Sequence, residues 1–72
     1  MENIQFQLND DYVELCNLLK LVGIADSSGQ GKRLVAEGMV TVDAQPESRK
    51  SAKIRAGQTV ECKGMRIVVL AK

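Results

Sequence analysis

The 72 residues predict an α+β architecture, two packed helices against a small, mainly antiparallel β-sheet. Two observations carry that expectation. Between residues 11 and 38 apolar side chains recur twice at helical spacing, with only a short polar connector between the runs. Outside that region the chain alternates, or breaks into short β-branched runs separated by turn residues. A chain of this length holds one core and one functional face, so residues 1–72 read as a single domain.

Residues 3–8 place Ile4, Phe6 and Leu8 on one side and Asn3, Gln5 and Gln7 on the other, the period of a half-buried strand. Asp11 followed by Glu14 is a capping-type start for the first helix, with acids at the positive end of its dipole. Leu15, Leu18, Leu19 and Val22 then form one apolar stripe. Lys20 falls in the last turn, Gly23 supplies the stop, and Ile24 is placed to pack back on the helix. Ser27 and Gln30 repeat the capping signature, and Gly31, Leu34, Val35 and Gly38 step by three and four. A second helix over about 28–37 follows, paired with the first through a short linker. Gly31 costs that helix roughly 1 kcal/mol relative to alanine. A small residue there suits two helices in close approach.

Beyond Gly38, residues 39–42 read as a strand and 43–46 as a turn. Residues 47–54 form a basic stretch of mixed extended and irregular character. A turn at 55–58 leads to a strand at 59–62, and Lys63-Gly64 makes a tight hairpin turn into 65–71. No repeat or low-complexity segment interrupts this order.

Charge is unevenly distributed. Residues 1–31 hold five acids against one base, whereas residues 32–72 hold nine bases against four acids. Such asymmetry suits a basic face that meets an anionic partner. Arg49, Lys50, Lys53 and Arg55 lie within a run, 48–58, that contains no acid, and Lys32 and Arg33 head the second helix. About five phosphate contacts would give an affinity that falls roughly 10²–10³-fold between 50 and 200 mM salt. The same charges could instead be ordinary solvated surface, or could face an acidic protein as part of an interaction adaptor. Phe6 and Tyr12 are the only aromatic residues, which leaves little for stacking single-stranded bases and favours folded RNA read by backbone and shape.

Other chemistries find no support. The stretch Ser-Ser-Gly-Gln-Gly-Lys-Arg at 27–33 looks like half of a phosphate loop. That loop needs Gly-x-x-x-x-Gly-Lys-Ser/Thr after a strand; here Arg33 follows Lys32 and a helix precedes. What remains is a helix N-terminus and a lysine that can meet a phosphate. With no histidine and no C-x-x-C, a metal site lacks ligands, and Cys16 and Cys62 read as buried reduced thiols. No catalytic residue, cofactor or small-molecule substrate is expected, Asp10 and Asp11 reading as helix caps. The N-terminus has no basic start or long apolar run, and no segment nears the ~18 apolar residues of a membrane span. The expectation is a soluble, cytoplasmic monomer without a membrane partner.

The ordered set Gln30-Gly31-Lys32, Leu34-Val35, Glu37-Gly38, Val40-Thr41-Val42-Asp43, Arg49-Lys50, Lys53-Ile54, Gly57 and Thr59-Val60 resembles a known family. It is similar to the RNA-binding domain first described in ribosomal small-subunit protein four, the alpha-L motif. More closely it resembles the small stand-alone bacterial members of the YbcJ-like type, over roughly residues 12–62. The resemblance implies non-catalytic binding of structured RNA, ribosomal or transfer RNA, on a face built from the second helix and the strand region after it. By position it implies contacts from Lys20, Lys32, Arg49, Lys50 and Lys53, with Arg33 and Arg55 secondary. Three positions depart from the pattern. Gly31 stands where the family usually has alanine, and Thr41 where relatives often carry a base. Ala44 replaces the turn glycine and implies another geometry for the Asp43 turn.

Overall fold

The computed structural model describes residues 2–72. Its elements in order are β1 (Glu2–Gln7), β2 (Val13–Glu14), α1 (Leu15–Leu21), α2 (Ser28–Ala36), β3 (Val40–Val42), β4 (Gln45–Pro46), β5 (Lys53–Ile54), β6 (Thr59–Cys62) and β7 (Met65–Leu70). Five strands make one sheet in the order β1-β7-β6-β3-β4, and β2 and β5 make a separate two-stranded ladder. Every pairing is antiparallel except β1 with β7, which brings the two ends of the chain together in parallel, Ile4 opposite Ile67.

The core forms where the helical stripe meets the inward row of the sheet. Leu15, Leu18 and Leu19 of α1 and Leu34 and Val35 of α2 are buried with Val40, Val60, Ile67 and Val69. Each such side chain contributes about 1.5–3 kcal/mol by leaving water. Phe6, Ile4 and Ile24 lie half-buried against this cluster. Both thiols are free and buried, and burial pushes that of Cys62 up. No helix among the described residues is long and apolar enough to cross a membrane.

At Gly31 the two helices lie in close approach. A Cβ built there would lie 2.5 Å from the Cys16 carbonyl oxygen, so a side chain at this position would push α1 and α2 apart. α2 starts as expected: the Ser27 hydroxyl accepts from the Gln30 N–H at 3.2 Å, and the Gln30 side-chain carbonyl accepts from the Asp26 N–H. The return bond reaches one residue further back than in the usual capping box.

The start of α1 corrects one expectation. Asp11 and Glu14 do not cap it: the helix begins at Leu15, and Glu14, its N-cap, makes no side-chain capping bond. Instead Val13 and Glu14 pair with Ile54 and Lys53. The Leu15 N–H donates to the Ala52 carbonyl at 2.9 Å and the Cys16 N–H to the Lys50 carbonyl at 3.2 Å. Main-chain carbonyls from the basic stretch therefore satisfy amides that a capping carboxylate would otherwise serve.

The β3–β4 turn corrects another. Asp43 and Ala44 both lie in the left-handed region, at φ 51° and 68°. This is the geometry of a two-residue hairpin loop of the kind usually filled by Asn-Gly or Asp-Gly. Ala44 thus adopts a glycine conformation rather than changing the turn. Lys63 and Gly64, at φ 52° and 76°, form the corresponding loop between β6 and β7.

Candidate nucleic-acid interface

The basic residues reach the surface from three pieces of backbone. Lys20 lies in the last turn of α1, Lys32 and Arg33 on α2, and Arg49, Lys50, Lys53 and Arg55 on the segment that docks against the start of α1. All seven are exposed. Cys16 is the structural junction between two of these pieces. Its N–H holds the Lys50 carbonyl, and its own carbonyl is the atom on which Gly31 packs, next to Lys32. Helix packing thereby fixes the Lys50 and Lys32 backbones relative to each other. Lys20 is at the other end of α1, about one helical turn from Cys16.

The charges are not equally available. Arg49 is engaged by Glu47, its Nη2 3.2 Å from Oε1 and its Nε 3.3 Å from Oε2. The same carboxylate accepts the Ser48 and Arg49 N–H groups at 3.0 and 3.1 Å, closing a tight local turn. The Arg49 guanidinium beside Glu47 holds its carboxyl below the usual carboxylate range. Arg33 makes a looser contact with Glu37, 3.7 Å, one turn along α2. Among the described residues, Lys20, Lys32, Lys50, Lys53 and Arg55 form no ion pair with a carboxylate.

Lys53 and Arg55 flank Ile54, which is buried, so β alternation sends both outward on the same side. There they meet Tyr12. Lys53 Nζ lies 5.1 Å and Arg55 Cζ 5.6 Å from the centre of its ring. Arg49 and Lys53 also line one open groove with Ser51 and Ala52. Turn contacts steady the far end of the segment. The Arg55 N–H donates to the Gln58 side-chain carbonyl at 2.7 Å, and Asp43 accepts the Thr59 N–H at 3.0 Å.

Two participants were not evident from the sequence pattern. Tyr12 precedes Lys53 by 41 positions and Arg55 by 43; only the β2–β5 pairing places it beside them. Glu47 lies just outside the acid-free run 48–58, and the signal was available in its two-residue spacing from Arg49.

The S4 domain family model matches residues 6–70. YbcJ of Escherichia coli (strain K12) is 52% identical over 60 residues, covering 83% of this chain and 86% of that protein. RlbA of Bacillus subtilis (strain 168), named as a probable ribosome maturation protein, is 30% identical over 57 residues, 79% of this chain and 80% of its own. The solution structure of E. coli YbcJ, described as revealing an alpha-L motif involved in RNA binding, superimposes with a TM-score of 0.72 at 48% identity. That superposition covers 93% of this chain and 86% of YbcJ. The 30S ribosomal protein S4e of Thermoplasma acidophilum shares the fold, with a TM-score of 0.60 at 24% identity over 81% of this chain and 31% of its own. With its paired helices, mixed sheet and YbcJ-like sequence, the chain belongs to the S4 domain family.

Proposed function

We propose that this chain, acting as one domain, binds structured RNA of the ribosomal or transfer class without chemical turnover. The contacts are phosphate contacts from Lys32, Lys50 and Lys53, with Lys20 and Arg55 extending the face. The observation that carries this reading is the docking of the 49–55 segment onto the first amides of α1, beside α2. It presents cations from distant parts of the sequence on a backbone already ordered before any partner arrives. Preorganisation lowers the conformational entropy lost on binding. The RNA-binding description of YbcJ supports the same reading, as does the ribosomal association in the name of RlbA. Arg49 and Arg33 contribute less, because each already faces a carboxylate. Phosphate contacts position a protein without reading bases, so selectivity comes from RNA shape. The cytoplasm is the compartment that fits such a partner.

Lys50→Glu tests the proposal. Its side chain is exposed and its structural bond uses the main chain, so the fold should persist. Affinity for a folded ribosomal or transfer RNA should drop, and the slope of log K against log salt should become shallower by about one. Unchanged affinity at low and moderate salt would remove Lys50 from the face. Binding that favours acidic proteins over folded RNA would support the adaptor reading instead.

A further inference from the structure

Lys53 stands directly opposite Glu14 in the β2–β5 ladder, the arrangement in which a cross-strand ion pair would be expected. It makes none. Its ammonium lies over the Tyr12 ring instead, and the Arg55 guanidinium shares that ring. Two like charges are thus gathered around one aromatic side chain, with neither neutralised by a carboxylate among the described residues. The main chain beneath them is held on both sides. β5 is paired to β2, and the Arg55 N–H is fixed by Gln58, whose amide in turn donates to Asp43 at 3.5 Å.

Resting on the RNA-binding reading, we propose that Tyr12 is a positioning residue that holds Lys53 and Arg55 together as a two-cation clamp for RNA phosphate. The face of the ring attracts both cations and offsets part of their mutual repulsion. It also restricts two long side chains that would otherwise lose rotamer freedom when they grip an anion. The ring itself remains at the surface, with 38% of Tyr12 exposed, so an incoming phosphate need not displace buried structure. Asp10, Asp11 and Glu14 line an open groove with Tyr12, together with Lys72. The clamp also changes the ranking among the basic residues: Arg55 acts with Lys53, ahead of Arg49.

The test compares wild type with Tyr12→Phe, Tyr12→Leu and Lys53→Gln/Arg55→Gln, using two probes. The first is a titration with inorganic tripolyphosphate, followed by NMR at the Lys53 and Arg55 side-chain nitrogens. The second is the salt dependence of binding to a folded transfer RNA. Tyr12→Phe keeps the ring and should behave as wild type. Tyr12→Leu should weaken both ligands roughly three- to tenfold. It should also make the RNA salt slope shallower by between one and two, and add little further loss on the Lys53→Gln/Arg55→Gln background. A Tyr12→Leu variant that binds tripolyphosphate as wild type does would overturn the clamp. So would a loss of RNA affinity that leaves the salt slope unchanged and persists without the two cations, since that pattern marks a base-stacking ring. If tripolyphosphate responds to Tyr12 as expected while wild type binds no folded RNA, the clamp stands and the RNA reading falls.

Discussion

Ala44 holds its backbone at φ 68°, where a methyl group crowds the neighbouring carbonyl and glycine would not. The strain is offset locally by Asp43, whose carboxylate accepts the Thr59 N–H at 3.0 Å and whose own N–H donates to the Thr59 carbonyl at 2.7 Å. These bonds tie the β3–β4 loop to β6 whatever follows Asp43. Ala44→Gly should therefore stabilise the fold by about 0.5–1 kcal/mol, the relieved strain less the added freedom of the unfolded chain. Urea unfolding would measure it, and RNA affinity should not change. A spacing argument anticipated the small residue at Gly31 correctly. It could not anticipate Ala44, because a turn's geometry is set here by a partner 16 residues away in sequence.

The two helices begin with the same sequence signature and differ in how their first amides are satisfied. Ser27 and Gln30 close a real cap, and among the described residues no other group hydrogen-bonds to the first amides of α2. At α1 the carbonyls of Lys50 and Ala52 arrive first, and Asp11 is left with no capping role. Ser27→Ala should cost about 1 kcal/mol, whereas Asp11→Ala should stay within about 0.5 kcal/mol of wild type. Equal losses in thermal or urea unfolding would mean that the strand-docked start of α1 is wrong. Helix stripes, stop residues and the closing hairpin were legible in the sequence, because each depends on neighbours within a few residues. The β2–β5 ladder was not. It joins two short segments some 40 residues apart, and two-residue strands leave no periodicity to detect. Tyr12 went unread for the same reason, since its contacts with Lys53 and Arg55 exist only once that ladder forms.

Across the whole molecule, the acidic first part and the basic second part fold against each other, and the proposed RNA binding turns on which charges remain unpaired. The run of bases was visible in the sequence, but availability was not, because ion pairing depends on side-chain approach. Glu47 is the clearest case: it occupies Arg49 and orders the loop that presents Lys50. Its carboxyl is held below the usual carboxylate range, mainly by the hydrogen bond from Arg49. A lowered value means that the pairing is fully present above the unfolded-state pKa. It is lost only as pH falls through the lower folded-state one. Acid release of Arg49 therefore plays no part near neutral pH, and this pair should add no pH dependence to RNA binding between about pH 6 and 8. Substitution can achieve what pH does not. Glu47→Gln keeps an oxygen for the Ser48 and Arg49 N–H groups and removes the charge that engages the guanidinium. RNA affinity should then rise about two- to fivefold near 50 mM salt, with a salt slope steeper by up to about one. Arg49→Gln in the same background should cancel that gain. If Glu47→Gln instead weakened binding with the slope unchanged, Glu47 would be acting through loop order alone, and Arg49 would belong outside the RNA face.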